Sequence, residues 1–493
     1  MAVGPGVARP IHSGTVERSL VVDALGRRVR IDGHACDREQ WQLVERCWRD
    51  AVAPPGPADA HVQAVPTGEP NSWLSVLAGE VTRVALQLNR GRLWMLHAAG
   101  IAAEDGRVIA LVGPSGRGKT TACQAAGAAF EYVSDEVVAI DADGRVWAYR
   151  KPLSVKEPER AAKSQWAPTD LGLRVRERPL RLGRIVVLDR IDGAASAGGT
   201  PRVEAMDLGD ALTDLVAQSS FLADLPAPLR TIASHVAATA GVVRATYADA
   251  RELSDVWGEV LPAATATGAA VGAAPAGTKL VEPPLVAAPP PEVAPEPYAR
   301  SPHLDAVGLS SPDRIAVLRR DDDTDGEDAG GEAVVHVLAG VAPTLWRHAS
   351  GASMETLRAS AVGLHGTPPS DDAATLVASA VRELEEAGLL QRGAAHWAVA
   401  PDVSWTGADD VVACSLRDDR APVALQGSAA VIWRALAEGG TEAEICERVI
   451  SVSQPTSDDV PAQVSAFLRD LLTRGLASVD GGMRHRPSER TGE

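Results

Sequence analysis

The pattern G-x-x-x-x-G-K-T from Gly113 to Thr120 constrains the fold more than any other feature of the sequence. It follows an apolar run that ends at Val112 and precedes a helix-compatible segment that begins at Thr121. Glycines at these positions let successive backbone N–H groups turn inward toward a polyphosphate above the N-terminus of the next helix. The sequence therefore predicts a strand, a phosphate-binding loop and a helix, in an α/β domain that binds a nucleoside triphosphate.

The residues of this loop have individual expected roles. The Lys119 ammonium would contact the β- and γ-phosphates, and the Thr120 hydroxyl would be a ligand of Mg²⁺. ATP and Mg²⁺ are thus the expected cofactors. The remaining nucleotide contacts are expected from the loop and the first helical turn: Gly113, Ser115, Gly116, Arg117, Gly118 and Thr121.

Polar residues also flank the loop in the sequence. His97 lies between two apolar segments one strand before the loop, and Asp135 and Glu136 end an apolar segment after it. Because catalytic groups of α/β proteins collect at the carboxyl ends of strands, we expect the two carboxylates near the phosphates. Either could hold Mg²⁺ or accept a proton from an attacking hydroxyl. For His97, a catalytic role and a satisfied core position are equally compatible with the sequence.

His97-Ala-Ala-Gly, the loop, and Ser134-Asp135-Glu136 together resemble the kinase core of the HPr kinase/phosphorylase superfamily, over about residues 70 to 260. The resemblance implies that His97 and Lys119 are catalytic and that Asp135 is the general base. Glu136 stands where that family has a second aspartate, so the geometry toward a metal ion differs. A counterpart of the family's later glutamate-glycine motif is not found, so phosphorylase activity is not expected.

Bulk properties exclude several function classes. A formal net charge of −17 argues against a partner nucleic acid bound through its phosphates. The sequence has no apolar run of membrane-spanning length, and its first residues lack the pattern of a signal peptide. Five cysteines without a C-x-x-C pair favour free thiols over disulfides or zinc sites. These features predict a cytoplasmic protein without a membrane or nucleic-acid partner.

The composition predicts where the chain divides. Residues 262–302 are rich in Ala, Gly and Pro and have little to bury, so we expect a linker there. Before it, residues 1–90 are predicted to form an α+β region that packs on a P-loop domain at residues 91–261. Residues 483–493 are expected to be a disordered tail.

The part after the linker repeats itself. Leu338-x-Gly-x-Ala-x-x-x-Trp346 recurs at Leu425 to Trp433, a displacement of 87 residues, and Leu384-x-x-x-Gly-Leu recurs from Leu471 at the same displacement. Each copy, at residues 303–400 and 401–482, is predicted to contain a β-hairpin and three helices, the last of them the longest. We call these copy one and copy two. Trp346 and Trp433 are expected in the cores, and Gly388 and Gly475 at the ends of the long helices.

The repeated half resembles PqqD-like domains, small winged-helix modules also known as RiPP recognition elements. The resemblance is carried by Leu338, Trp346 and Leu384–Leu390 in copy one, with Leu425, Trp433 and Leu471–Leu476 in copy two. It implies that a leader peptide binds as an added strand on the hairpin edge, against the long helix. The expected fold class is an HPr-kinase-like α/β P-loop core followed by two small α+β winged-helix domains.

These observations favour an ATP-dependent kinase that phosphorylates a Ser or Thr hydroxyl on a ribosomally synthesised peptide, with the repeated domains binding the leader of the precursor. Two alternatives stay open: a non-catalytic, nucleotide-gated adaptor that presents peptide to other biosynthetic enzymes, and a kinase for a small molecule or sugar. The sequence is also compatible with a homo-oligomer.

Overall fold

A computed structural model describes residues 18–127, 129–155, 163–191, 200–261, 297–310, 313–320, 333–368, 372–393, 396–400, 403–408, 411–416, 423–453 and 460–480. The chain divides into two compact units, residues 1–226 with 231–275, and residues 227–230 with 276–493. The predicted tail at 483–493 and most of the predicted linker at 262–302 lie outside the described residues.

The first unit begins with a small α+β region. Its elements are β1 (Ser19–Ala24), β2 (Arg27–Asp32), α1 (Arg38–Trp48), β3 (Ala60–Gln63) and α2 (Pro70–Asn89). Gly26 occupies the β1–β2 turn with φ +74°, and a Cβ there would lie 2.4 Å from the Trp147 ring, so the turn requires glycine. Asp37 caps α1 by accepting a hydrogen bond from the Gln40 N–H at 2.8 Å.

The rest of the first unit contains the phosphate-loop pattern. Its elements are β4 (Trp94–Leu96), β5 (Ala98–Ala102), β6 (Arg107–Val112), α3 (Lys119–Ala126), β7 (Glu131–Ser134), β8 (Val138–Ile140), β9 (Val146–Trp147), β10 (Leu153–Val155), β11 (Ser164–Trp166), β12 (Arg181–Arg190), β13 (Arg202–Met206), α4 (Leu208–Ala217), β14 (Ser219–Ser220), α5 (Pro228–Ala238), β15 (Val242–Tyr247) and α6 (Trp257–Val260).

A six-stranded mixed sheet in the order β13-β15-β12-β6-β5-β7 is the centre of this unit. The strands β6, β12 and β15 are parallel, whereas β5 runs antiparallel to both of its neighbours. A second sheet has the order β14-β4-β8-β9. One apolar cluster joins Trp48 and Leu77 of the N-terminal region to Met95, Ala139 and Tyr149, so that region shares a core with the second sheet.

The second unit contains the two copies. Copy one comprises β16 (Tyr298–Arg300), β17 (Asp305–Ser310), β18 (Asp313–Arg320), β19 (Ala333–Leu338), α7 (Ala342–His348), β20 (Ser350–Ala352), α8 (Met354–His365), α9 (Ala373–Glu386) and β21 (Leu390–Arg392). Copy two comprises β22 (His396–Val399), β23 (Val403–Ala408), β24 (Val411–Leu416), β25 (Val423–Gln426), α10 (Ser428–Ala437), β26 (Gly440–Thr441), α11 (Glu442–Ser453), α12 (Val460–Thr473) and β27 (Ala477–Asp480).

The two copies have the same topology. Each has an antiparallel three-stranded sheet, β17-β18-β19 or β23-β24-β25, and a smaller sheet, β20-β16-β21 or β26-β22-β27. Ile315 pairs with Leu338 in copy one as Val412 pairs with Leu425 in copy two, which preserves the displacement of 87 residues on β19 and β25. Trp346 and Trp433 are buried, as expected.

The structure differs from the predicted strands of the second unit in two respects. Each predicted hairpin is part of a three-stranded sheet, because β17 and β23 also pair with it. Residues 298–300, predicted as the end of the linker, form β16, and residues 396–399, predicted in copy one, form β22, which pairs with β26 and β27 of copy two. Strands of three or four residues have too few alternating side chains for a period of two to be recognised.

Candidate functional site

The topology of the six-stranded sheet brings three separate sequence segments to one edge. Because β5 is antiparallel to both β6 and β7, the carboxyl ends of β6 and β7 lie beside the start of β5. The register agrees: Ala98 pairs with Val112, and Gly100 pairs with Ser134. His97, the loop after β6 and the acidic pair after β7 are therefore neighbours.

The loop after β6 has a backbone conformation suited to an anion. Gly116 and Gly118 have φ values of +87° and +92°, which other residues rarely adopt. A Cβ added at Gly118 would lie 3.0 Å from the Cβ of Ala250, whereas one at Gly116 would have no described atom within 4 Å. Since α3 begins directly after these glycines, the loop leads into a helix N-terminus, the type of position at which proteins commonly bind anions.

The Lys119 side chain folds back onto this loop. Its ammonium donates hydrogen bonds to the carbonyl oxygens of Gly113 and, at 3.3 Å, of Pro114. Only 8% of Lys119 is exposed. Burial lowers the pKa of Lys119 to about 8, although the nearby carboxylates of Asp135 and Glu136 oppose this effect. The ammonium therefore has little hydration of its own.

The two predicted carboxylates share a buried lysine, Lys151, to which the sequence analysis assigned no role. The Lys151 ammonium lies 3.0 Å from Glu136 Oε2 and 3.5 Å from Asp135 Oδ1. The Tyr132 hydroxyl donates a hydrogen bond to Asp135 Oδ1, at 3.0 Å. Burial lowers the pKa of Lys151, but the attraction of the two carboxylates outweighs it, and the net pKa is raised. Lys151 is therefore a permanent cation in the site.

A backbone contact explains why Lys151 could not be found from the sequence. The Tyr149 N–H donates to the Val133 carbonyl at 2.9 Å, which places residues 149–151 alongside β7. This contact depends on how the chain returns after β9. Neither residue spacing nor hydrophobic periodicity encodes it.

His97 lies near the charged side chains of Lys119, Asp135 and Glu136 rather than in an isolated apolar core. Burial lowers its pKa, Lys119 lowers it further, and Glu136 and Asp135 act in the opposite direction. Its backbone N–H donates to the Gln218 carbonyl at 2.6 Å, which fixes the chain where β5 starts. Near neutral pH, His97 is therefore an uncharged imidazole beside the loop.

The other predicted nucleotide-binding residues have different environments. The Arg117 guanidinium donates to the Arg190 carbonyl at 2.6 Å and braces the loop against the end of β12. Ser115 is exposed, whereas Thr120 and Thr121 are half-buried in the first turn of α3. Arg117 is thus available to a nucleotide mainly through its backbone.

The donor set fits a Mg²⁺ ion that is shared with a nucleotide. Mg²⁺ prefers oxygen ligands and is usually held by one or two protein groups together with phosphates. Thr120, Asp135 and Glu136 supply a hydroxyl and two carboxylates of this kind. Among the described residues, no group of three or more His, Cys, Asp or Glu could hold a metal ion.

In the second unit, β19 and β25 are edge strands of their three-stranded sheets over the described residues. Val423 of β25 and Phe467 of α12 are half-buried and pack against one apolar core cluster. The residue at the position of Val423 in copy one is His336, and Ala380 stands at the position of Phe467. At these two positions copy two therefore has the larger apolar side chains.

The ends of the long helices also differ. In copy one, Arg319 donates to the Ala387 carbonyl at 2.8 Å, and a Cβ at Gly388 would lie 2.3 Å from the Arg319 guanidinium. In copy two, no described atom lies within 4 Å of a Cβ added at Gly475. The space beside the helix end is thus filled by Arg319 in copy one alone, as far as the described atoms show.

Comparison with protein families bears on copy two. Residues 417–477 match the family described as coenzyme PQQ synthesis protein D (PqqD). Residues 417–477 form a PqqD domain. Comparison of the chain with curated proteins finds no match. In the part of the chain that the structure describes, no helix is both long and apolar enough to cross a bilayer.

Proposed function

We propose that the chain is an ATP-dependent kinase that phosphorylates a Ser or Thr hydroxyl on a ribosomally synthesised peptide. One observation carries the proposal: the loop with Lys119 and the acidic pair at Asp135 and Glu136 meet at one edge of the sheet. The PqqD domain supports a peptide partner, because domains of this type bind leader peptides in peptide-modification pathways.

The chemistry would consist of positioning and charge stabilisation. The loop N–H groups and the Lys119 ammonium would hold the β- and γ-phosphates. Asp135 would accept the proton of the acceptor hydroxyl. At the same time the hydroxyl oxygen would form a bond to the γ-phosphorus, and the bond from that phosphorus to the bridging oxygen of ADP would break. Uncharged His97, beside both groups, would orient the acceptor or the transferred phosphoryl group by hydrogen bonding.

A bound Mg²⁺ would neutralise part of the phosphate charge, with Thr120 and Glu136 or Asp135 as its protein ligands. The Tyr132 hydroxyl and the Lys151 ammonium both engage Asp135 Oδ1. This leaves Oδ2 as the oxygen that takes the proton.

The PqqD domain would bind the leader as a strand added to the free edge of β25. Binding there raises the effective concentration of the core peptide at the kinase site without any contact to the reacting hydroxyl. The leader would therefore lower the KM for the peptide and leave kcat unchanged.

Transfer of label from γ-labelled ATP to a precursor peptide tests the proposal. Wild type is expected to label Ser or Thr of the peptide, and Asp135→Asn is expected to lower kcat by about 10²- to 10⁴-fold without weakening ATP binding. Lys119→Ala is expected to lose both ATP binding and transfer of the label. A wild type that binds precursor tightly but transfers no label would rule out the kinase.

One observation favours the nucleotide-gated adaptor as a second candidate. The expected base, Asp135, already accepts a hydrogen bond from Tyr132 and lies in an ion pair with Lys151. If the chain is an adaptor, Asp135→Asn will leave the output of the pathway intact, whereas Lys119→Ala will impair it. The same two variants therefore separate the candidates.

A further inference from the structure

The Lys151 ammonium is a buried charge that has no direct role in the proposed reaction. Lys151 is 4% exposed, and its ammonium contacts both carboxylates of the acidic pair and the Pro152 carbonyl at 3.2 Å. Burying an ammonium is costly unless charges of opposite sign compensate it. Its position between Asp135 and Glu136 therefore determines the charge that a cation entering the site would meet.

The charges of the site balance before any ligand binds. Asp135 and Glu136 contribute two negative charges, and Lys119 and Lys151 contribute two positive ones, all within mutual electrostatic range. A divalent cation alone would thus approach a neutral group of side chains, with one ammonium already in contact with both carboxylates. A nucleoside triphosphate adds several negative charges beside the loop, and only then does the site have a net attraction for the metal ion.

We propose that Lys151 prevents the acidic pair from binding a divalent cation by itself, so that the metal ion enters this site only together with the nucleotide phosphates. Lys151 is then a positioning residue: it acts through the carboxylates, holds Glu136 Oε2 and Asp135 Oδ1 in place, and excludes a second, nucleotide-independent metal. The inference rests on the nucleotide-binding part of the proposed function and does not depend on phosphoryl transfer.

Titration of the nucleotide-free, full-length protein with Mn²⁺, followed by the electron paramagnetic resonance signal of free Mn²⁺, tests this inference. Wild type is expected to bind Mn²⁺ weakly. Lys151→Met, which keeps the length of the side chain and removes its charge, is expected to bind Mn²⁺ at least about tenfold more tightly. Lys151→Arg restores the charge and should return the affinity to the wild-type value.

Two further variants separate charge from structure. Lys163→Met removes an exposed lysine of the same unit and should leave Mn²⁺ binding unchanged. Glu136→Gln added to Lys151→Met removes one of the two carboxylates and should abolish the gain in affinity.

Two results would overturn the inference. The first is a folded Lys151→Met protein, by circular dichroism and thermal melting, whose Mn²⁺ affinity equals that of wild type. The second needs no Lys151 variant: nucleotide-free wild type that binds one Mn²⁺ tightly and loses it in Glu136→Gln. Failure of peptide phosphorylation would alter neither result, because the titration contains no peptide and no turnover.

Discussion

At the scale of single residues, burial and charge around the phosphate loop determine which groups can act. Lys119 loses hydration on burial but has two carboxylates nearby, and its pKa falls to about 8 rather than further. His97 is held uncharged by the same burial and by Lys119. Lys151, in direct contact with the carboxylates, keeps its charge. Three basic side chains in one site thus have three different protonation behaviours.

The lowered pKa of Lys119 predicts a pH-dependent affinity for ATP. Below about pH 8 the ammonium is charged and attracts the phosphates; as the pH rises through 8 it loses its proton, so the affinity of the nucleotide-free protein for ATP should fall. Calorimetric titration between about pH 7 and pH 9.5 should show a loss approaching tenfold per pH unit at the upper end. Lys119→Arg, which stays charged, should bind ATP independently of pH in this range. A flat wild-type profile would contradict the assignment of Lys119.

At the scale of elements, the long helices of the two copies end in the same way but in different surroundings. Gly388 and Gly475 have φ values of +65° and +72°. The Leu389 and Leu476 N–H groups each donate back to the fifth residue before them, at 2.8 Å, as in a Schellman motif. The two helix ends therefore provide a matched pair of positions for the same substitution.

Alanine at these glycines should destabilise copy one more than copy two. Gly475→Ala should cost about 1 kcal/mol from its left-handed backbone alone. Gly388→Ala should cost about 0.5–1.5 kcal/mol more, because the new Cβ displaces Arg319 and its hydrogen bond to Ala387. Hydrogen exchange of α9 and α12 in the full chain measures the loss of stability in each variant.

A control substitution at a third glycine is expected to stabilise its helix rather than destabilise it. Gly363→Ala, at an exposed helical position of α8, should raise protection in that helix. Equal losses of protection at Gly388→Ala and Gly475→Ala would show that Arg319 contributes nothing to the end of α9.

The elements also show what the sequence could and could not predict. The loop, α3 and the three helices of each copy follow from local patterns, and the structure contains them. The boundary strands β16 and β22 did not, because they pair with strands that are distant in the sequence. The strands β17 and β23 pair with the strand that directly follows each of them, but Gly308 and Gly407 interrupt their apolar patterns. In the candidate site, motifs single out His97, Lys119 and Asp135, whose roles stay predictions, whereas the contacts of Lys151 and Tyr132 with Asp135 depend on tertiary placement.

At the scale of the whole molecule, the loop with Lys119 and the acidic pair lies in one unit of the chain and the PqqD domain in the other. Residues 417–477 of copy two match the PqqD family, and Val423 and Phe467 stand there where copy one has His336 and Ala380. Because both lie in one chain, a peptide bound to the PqqD domain would have a raised effective concentration at the proposed kinase site.

A substitution at the edge of copy two should impair peptide capture and spare the kinase chemistry. Val423→Asp places a charge on the apolar face of β25, so the KM for a leader-containing precursor should rise by about tenfold or more, with kcat and ATP affinity unchanged. The matched change in copy one, His336→Asp, should leave the KM close to the wild-type value. If His336→Asp raises the KM and Val423→Asp does not, the leader binds copy one.

The most direct measurement of the central claim is mass spectrometry of a precursor peptide incubated with ATP, Mg²⁺ and the full-length protein. The account predicts that wild type adds one phosphoryl group to a Ser or Thr of the core, that removal of the leader raises the KM without lowering kcat, and that Asp135→Asn forms product at least about 10²-fold more slowly. An unmodified peptide under conditions where both ATP and the precursor are shown to bind would contradict it.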